Sequence, residues 1–270
     1  MTTQTSPMRG SSRANRLGRD APLALAVVLV LSSLPAHADP NALWRFVHDG
    51  CAPHFEAGEG PRPCEAVDWN GGVAEGVAIL KDLNGVAQML AIPTRRISGV
   101  EDPQMLAPDA PPVFADGWKA KALVEARLGG RSLPREAVAL AINSQYARSQ
   151  DQLHVHVDCV RVDVIEALQA YAPALDAEWR AMTVPLDGRV YFARRIDSND
   201  LLQHEPLLRL VADGLPEAGA RMGAVSFAVV GAEFEGKPGF VLIADLFSLE
   251  GGGHAEDIED HNCSVAKTAP

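Results

Sequence analysis

The chain has 270 residues, of which 47% are hydrophobic and 22% charged, and its formal net charge is −11. This length suits one large domain or two small ones, and the composition is that of an ordinary globular protein. The excess of acidic residues argues against broad nucleic-acid binding and against docking on anionic lipid through bulk charge.

The first 38 residues have the layout of a secretory leader. Four arginines precede an apolar run at 21–34, and Ala36-His37-Ala38 supplies a small-x-small cleavage signal. The run is shorter than the roughly 20 residues that span a bilayer, and a buried N-terminal helix is the other alternative. Residues 1–38 are therefore predicted to be a signal peptide or an uncleaved membrane anchor, and residues 39–270 a domain in an extracytoplasmic compartment. Without the leader's four arginines and one aspartate, the formal charge of the domain is −14.

All four cysteines lie in residues 39–270, and an even number of cysteines in an exported protein predicts disulfide bonds. Cys51 and Cys64 are close together in a segment rich in Gly and Pro, which favours a bridge between them and leaves Cys159 to pair with Cys263. The other two pairings remain possible, as does a zinc site, although no Cys-x-x-Cys spacing supports a metal.

The N-terminal half of the domain mixes short helical and strand-like patterns. Asn84-Gly85 lies between two apolar runs and predicts a β-hairpin, and Pro93 ends the second run. Gly129 and Gly130 follow a helical spacing of apolar residues and end that helix. The predicted elements are a helix at 41–48, strands at 73–80 and 86–92, a helix at 114–128 and a strand at 138–142.

A strict alternation of polar and apolar residues predicts a half-buried strand at 152–158. Its apolar residues are expected to enter the core, and its polar residues to share the opposite face: Gln152, His154, His156 and Asp158. The two imidazoles would lie roughly 6.6 Å apart, at about 3.3 Å per residue. Because packing does not require polar groups there, we interpret this strand as part of an active site.

Beyond it, the patterns predict a helix at 163–171, a strand at 190–193, a helix at 200–212, strands at 224–230 and 240–246, and an acidic segment at 255–263. Strands and helices follow no regular βαβ order, which predicts an α+β fold with an antiparallel sheet.

Paired histidines on one strand face suit two kinds of chemistry. A metal site would use His154 and His156 with Asp158, although such sites usually add a third histidine. Nucleophilic catalysis is the simpler interpretation, because a neutral imidazole, with an unperturbed pKa of about 6.5, has a free lone pair near pH 7 and attacks phosphorus. Arg148 and Ser149, in the preceding loop, could contact phosphoryl or leaving oxygens.

Two separated blocks of the chain resemble the histidine-triad (HIT) superfamily. Gln152-Leu153-His154-Val155-His156-Val157 is similar to the signature in which three histidines alternate with apolar residues, with Gln152 in the place of the first histidine. Residues 80–82 and 88–98 are similar to a second HIT block. Together with the leader and the blocks at 141–144, 148–156, 191–195 and 259–263, the chain resembles the bacterial CDP-diacylglycerol pyrophosphatase family over about residues 41–265.

This resemblance implies a HIT-like antiparallel sheet with flanking helices and an elaborated C-terminal α+β part. It implies that His154 is the nucleophile, that His156 contacts the phosphate, and that Ser149 holds the α-phosphate or assists the leaving group. Since Gln152 replaces the first histidine, His154 is oriented by a backbone carbonyl or by the Gln152 side chain. The other expected substrate contacts are Asp82 at the ribose (or else a plain turn residue), Asn143 near the phosphate, and Arg96, Arg148 or Arg95 at the pyrophosphate.

The implied reaction is hydrolysis of CDP-diacylglycerol to CMP and phosphatidate through a nucleotidyl-histidine intermediate. The expected partners are this lipid nucleotide and the periplasmic face of the inner membrane; no cofactor, nucleic acid or obligate protein partner is expected. Two alternatives remain, an exported HIT-type hydrolase of a soluble nucleotide, and a periplasmic metal-binding or ligand-binding module using His154, His156 and Asp158.

Overall fold

The computed structural model describes residues 39–68, 72, 75–198, 202, 206–249 and 251–268. Residues 1–38 lie outside this range, so their assignment as a signal peptide or anchor stays a prediction. Ala38–Pro270 forms one compact unit. Among the helices described in it, none combines the length and apolar character needed to cross a bilayer.

In the described part of the chain, one sheet contains β1 (Ala66–Asp68), β2 (Val77–Lys81), β3 (Met89–Pro93), β4 (Val138–Ile142), β5 (Val155–Cys159), β6 (Arg180–Ala181), β7 (Phe192–Ile196), β8 (Val225–Phe234) and β9 (Lys237–Leu246). Their order across the sheet is β1-β2-β3-β5-β4-β8-β9-β7-β6, and every neighbouring pair is antiparallel. The predicted α+β class with an antiparallel sheet is therefore confirmed.

The described helices are α1 (Ala42–Arg45), α2 (Ala52–Glu56), α3 (Val113–Lys119), α4 (Lys121–Arg127), α5 (Val162–Tyr171), α6 (Leu207–Gly214) and α7 (Val265–Thr268). A π-helical segment, Phe46–Cys51, joins α1 to α2, so the predicted helix at 41–48 continues further along the chain. The predicted helix at 114–128 is two helices, α3 and α4. It ends as predicted at Gly129 and Gly130, whose φ angles of 78° and 80° glycine adopts without strain.

The predicted hairpin is present, since β2 pairs with β3 and β3 ends at Pro93. Its loop is longer than a two-residue turn, because the first pair of the ladder is Lys81 with Met89. The strand predicted at 190–193 lies later, as β7. Part of two predicted elements lies outside the described residues: 73–74 of the strand predicted at 73–80, and 200–201 and 203–205 of the helix predicted at 200–212.

The alternation that predicted the histidine strand is correct, but two details differ. The strand begins at Val155, so Gln152 and His154 belong to the preceding loop. Val155 and Val157 enter a core beneath α3, as expected. The strand was predicted to be half-buried, with only its apolar face in the core, yet His156 and Asp158 on the polar face are buried as well. The reason is that long-range segments, which strand periodicity does not report, cover this face.

Both predicted disulfides are present and hold these covering segments. Cys51 pairs with Cys64, which ties the N-terminal helical segment to the loop before β1. Cys159 pairs with Cys263, which ties the C-terminal segment to the end of β5. All four cysteines are thus used, and none is free for the alternative zinc site.

Candidate active site

His154 lies immediately before β5, with its imidazole half-buried at the edge of a cavity. Its Nδ1 is 2.8 Å from the main-chain oxygen of Gln152, so Nδ1 carries the hydrogen and donates it. Burial lowers the pKa of His154 below its ordinary value. The imidazole is therefore neutral near pH 7, with the lone pair on Nε2 that a nucleophile requires.

The side chain of Gln152 has a different task. It is fully buried, and its Nε2 donates to the carbonyl oxygens of Pro93 at 2.9 Å and Arg95 at 3.0 Å. Its Oε1 accepts from the N–H of Ile97 at 3.4 Å. Of the two groups expected to orient His154, the backbone carbonyl is the one in contact, and the Gln152 side chain fastens the segment that follows β3 instead.

His156 lies on the face of β5 opposite Val155 and Val157, and only 6% of its surface is exposed. Its Nδ1 is 3.2 Å from Glu256 Oε1 and 3.2 Å from Gln88 Nε2. Its Nε2 is buried and has no hydrogen-bond partner among the described residues. Burial, and then the neighbouring His154, lower the pKa of His156. The two ring centroids are 4.9 Å apart, so both imidazoles can contact one phosphoryl group.

A C-terminal segment completes the site. Asn143, at the end of β4, donates through Nδ2 to Glu256 Oε2 at 3.0 Å, and Glu256 N donates to Asn143 Oδ1 at 3.2 Å. Nδ1 of His261 is 2.9 Å from Asp158 Oδ2, and its Nε2 is 3.5 Å from Glu256 Oε1. The predicted phosphate contact, Asn143, thus lies at the cavity but is held by a carboxylate from the far end of the chain.

Burial and hydrogen bonds together set the charges in and around this segment. Burial raises the pKa of Glu259 well above its ordinary value and also raises that of Asp158. Burial opposes ionisation of Glu256 too, but nearby His156 and hydrogen bonds from Asn143 and Gln88 outweigh it, so the pKa of Glu256 is lowered. The hydrogen bond to Asp158 raises the pKa of His261. Glu256 is therefore the ionised carboxylate beside His156.

The sequence patterns missed four residues of this site: Gln88, Glu256, Glu259 and His261. Gln88 carried a usable signal, because it is the polar residue inside the apolar run at 86–92. In the structure it is fully buried. The segment with Glu259 and His261 contributed to the family resemblance, but nothing in its spacing gave these residues a role.

The loop after β2 supplies Asp82 to the cavity. Its Oδ1 accepts from the N–H of Asn84 at 3.0 Å, as a turn residue would, while its Oδ2 is 4.0 Å from His156 Nδ1. Lys81 donates to three carbonyl oxygens of the same loop, at 2.6 to 3.1 Å, and so secures it. Ser149 is exposed at the cavity. The ribose contact of Asp82 and the phosphate contact of Ser149 stay predictions.

Of the three candidate arginines, only Arg148 lines the cavity. Two of its guanidinium nitrogens bind Glu101, at 2.7 and 2.8 Å, so much of its charge is already neutralised. Arg96 donates to Asn41 Oδ1 and lies over the ring of Trp44. Arg95 donates to a main-chain oxygen outside the cavity. The structure therefore separates Arg95 and Arg96 from the two histidines.

Two groups of donors near the histidines have the types that bind a divalent cation. His156, Glu256 and Glu259 form one, and Asp158, Glu259 and His261 the other. In the first group Gln88 Nε2 lies 3.2 Å from an atom of each member, so an amide already fills the position that a cation would take. The predicted metal set is not assembled, because Asp158 bonds to His261 and lies with the second group, away from His154.

The cavity has a volume of about 460 Å³ and a lining of mixed chemistry. Its polar lining residues include the two histidines, Asp82, Asn143, Ser149 and Glu256. Its apolar lining residues include Leu43, Phe46, Pro63, Leu80, Leu83 and Leu90. Leu83 is almost fully exposed and Phe46 about half exposed, so part of the apolar lining reaches the protein surface.

Comparison with known proteins shows which family the chain belongs to. The sequence model of a family described as CDP-diacylglycerol pyrophosphatase matches residues 38–267. This chain belongs to that family. A CDP-diacylglycerol pyrophosphatase of Yersinia pestis is 36% identical over 254 residues, which cover 92% of this chain and 95% of the relative.

Membership of the CDP-diacylglycerol pyrophosphatase family confirms the resemblance found in the sequence and the prediction that the protein is a hydrolase. The family match extends over the C-terminal segment that carries Glu256 and His261 as well as over the histidine strand.

Proposed function

We propose that this protein hydrolyses the pyrophosphate bond of CDP-diacylglycerol to CMP and phosphatidate through a cytidylyl-histidine intermediate. The observation that carries the proposal is the hydrogen bond from His154 Nδ1 to the Gln152 carbonyl, which leaves Nε2 as an unprotonated nucleophile at the cavity. Family membership supports the choice of substrate.

In the proposed reaction, His154 Nε2 attacks the phosphorus that bears the cytidine. The bond from that phosphorus to the bridging oxygen breaks, and phosphatidate leaves with this oxygen and the electron pair of the bond. Water then attacks the cytidylyl phosphorus, its proton passes to solvent, and the phosphorus–nitrogen bond breaks to release CMP and restore His154.

Other predicted residues support these two steps. A phosphoryl oxygen bound beside His154 would accept a hydrogen bond from Nε2 of protonated His156, and this nitrogen has no partner among the described residues. Ser149 would contact the α-phosphate or the leaving oxygen, and Asp82 the ribose. Arg148 would add positive charge beyond what Glu101 neutralises, whereas Arg96 would have to leave Asn41 to reach the substrate. The two HIT-like sequence blocks support these roles and a HIT-like arrangement of the sheet.

The acyl chains of the substrate would stay outside the cavity. A volume of about 460 Å³ lies within the roughly 300–1,000 Å³ that holds a compact ligand, which suits the nucleotide and phosphates but not two long chains in addition. The exposed apolar side chains of Leu83 and Phe46 suit contact with a bilayer surface. The leader supports a location at the periplasmic face of the inner membrane.

Mass spectrometry of protein quenched during turnover of CDP-diacylglycerol tests the mechanism. A cytidylyl adduct on His154 is expected, and His154→Ala should lose both the adduct and turnover while keeping its fold. His54→Gln is the matched control, because this histidine is exposed and does not line the cavity. Near-full activity in His154→Ala, or an adduct on another residue, would contradict the proposal. Faster turnover of a water-soluble cytidine diphosphate ester than of the lipid would favour the soluble-nucleotide alternative.

A further inference from the structure

Glu256 is a half-buried carboxylate with both oxygens held by hydrogen-bond partners beside the proposed reaction. Oε1 is 3.2 Å from His156 Nδ1, and Oε2 accepts the hydrogen bond from Asn143. Its main-chain N–H bonds to the Asn143 side chain as well, so the carboxylate cannot rotate freely. Glu256 also lines the cavity, which brings it near the pyrophosphate of the proposed substrate.

The negative charge of Glu256 opposes binding of a phosphate at the cavity, and protonation of His156 would remove this obstacle. A phosphate placed next to this carboxylate would be repelled, because both groups carry negative charge at short distance. An imidazolium between them removes this repulsion, since Nδ1–H can donate to the carboxylate and Nε2–H to a phosphoryl oxygen. The geometry provides for both bonds, with Nδ1 on Glu256 and Nε2 buried without a partner among the described residues.

We propose that Glu256 is a positioning residue of this reaction, which pairs with Nδ1 of His156 and stabilises the cationic imidazole when the pyrophosphate is bound. One proton is taken up from solvent at this step, and it resides on His156. The inference rests on the proposed function, because the pyrophosphate is the group that brings the second negative charge.

Several charged or titratable groups surround His156, and together they explain why its protonation would depend on the substrate. They are His154 from its own chain segment, Asp82 from the loop after β2, Arg148 from the loop before β5, and Glu256, Glu259 and His261 from the C-terminal segment. Without substrate, burial and the neighbouring His154 favour neutral His156. Negative charge added at Nε2 favours the cation.

Other residues keep Glu256 in place. Nε2 of His261 is 3.5 Å from Glu256 Oε1, and the Cys159–Cys263 disulfide closes the segment two residues beyond His261. The N–H of Val86 donates to the His261 carbonyl at 2.8 Å, which ties the same segment to the loop after β2. The C-terminal segment thus holds the carboxylate of Glu256 against His156.

The test is Glu256→Gln, assayed with CDP-diacylglycerol in detergent micelles across pH. The amide can keep a bond to Asn143 but has no charge. We expect kcat to fall about 100-fold and KM to stay the same or decrease, because repulsion of the phosphate is removed. The alkaline limb of kcat should move down by about one pH unit, because His156 without the carboxylate loses its proton at lower pH. Glu256→Asp, which keeps the charge, should retain the wild-type limb.

Glu166→Gln is the matched control, since Glu166 is exposed on α5, and it should leave kcat, KM and the pH limb unchanged. A Glu256→Gln protein with kcat within about twofold of wild type would overturn the inference. So would a lower kcat with an unmoved limb, which is the result of a merely structural role. The adduct experiment separates this from the proposed function: a cytidylyl group on His154 that forms slowly in Glu256→Gln supports both, whereas an adduct elsewhere contradicts only the nucleophile assignment.

Discussion

The side chain of His154 is held by the main chain of Gln152, because the imidazole Nδ1 donates a hydrogen bond to the Gln152 carbonyl oxygen at 2.8 Å. The Gln152 side chain points its hydrogen bonds elsewhere, to Pro93, Arg95 and Ile97. One residue therefore performs two separable tasks. Its carbonyl sets the tautomer of the proposed nucleophile, and its amide fastens the chain that follows β3.

Replacement of Gln152 by Ala should therefore reduce stability more than catalysis. It leaves buried main-chain groups unpaired, each at a cost of about 1–3 kcal/mol, so we expect the free energy of unfolding to fall by about 2–4 kcal/mol. The kcat of the folded protein should fall less than about tenfold, because the carbonyl that orients His154 remains. Urea unfolding measures the change in stability, and kcat measured at urea concentrations below the unfolding transition measures the change in catalysis. Loss of activity comparable to that of His154→Ala, with wild-type stability, would mean that the side chain orients the nucleophile.

The two disulfides should differ in their effect on activity. Cys159 and Cys263 are 104 residues apart, against 13 for Cys51 and Cys64, so loop entropy alone predicts that the longer link stabilises by about 2 kcal/mol more. Removal of the longer link by paired Ala substitutions should also lower kcat, because it loosens the segment that carries Glu256. Thermal unfolding and kcat of both paired variants test this, and equal kcat values in the two would contradict it.

The sequence predicted the parts of this molecule that depend on local pattern. The alternation around His154, the hairpin around Asn84-Gly85 and the Cys51–Cys64 bridge are of this kind, and the Cys159–Cys263 bridge followed from the latter by elimination. It did not predict Glu256, which meets Asn143 across 113 positions, because no periodicity links two loops that a sheet brings together. For the same reason it did not predict that Glu101, 47 positions away, binds the guanidinium of Arg148.

The Arg148–Glu101 pair should make stability depend on pH in the acidic range. Burial opposes ionisation of Glu101, but the hydrogen bonds from Arg148 and Ser98 outweigh it, so the folded-state pKa lies below the ordinary value of 4.5. A lowered carboxyl pKa contributes stability that is present above the ordinary pKa and is lost as pH falls through the folded-state value.

Glu101→Gln should therefore lower the free energy of unfolding at pH 7 by about 1.5–3 kcal/mol, the range for a hydrogen bond to a charged group. The difference from wild type should shrink steadily as the pH falls below 4.5. Urea unfolding of both proteins at a series of pH values measures it. A difference that stays constant down to the acid limit would mean that the carboxylate charge does not stabilise the fold.

Leu83 is an apolar residue in the lining of the cavity, and we predict that hydrolysis of membrane-embedded substrate depends on it. This side chain is almost fully exposed, so Leu83→Asp should change the free energy of unfolding by less than about 0.5 kcal/mol. Burial of one leucine in an apolar medium stabilises by roughly 1.5–3 kcal/mol. We therefore expect the variant to lose about tenfold or more in vesicle binding and in hydrolysis of CDP-diacylglycerol embedded in vesicles.

Hydrolysis in detergent micelles should change less than about twofold, because the micelle presents the substrate without a bilayer and the reacting groups are untouched. Leu249→Asp is the matched control, since Leu249 is equally exposed but does not line the cavity. If Leu83→Asp and Leu249→Asp weaken vesicle binding equally, the effect is one of added negative charge. If neither does, the bilayer contacts another part of the protein, and the loop after β2 serves only to hold Asp82 at the cavity.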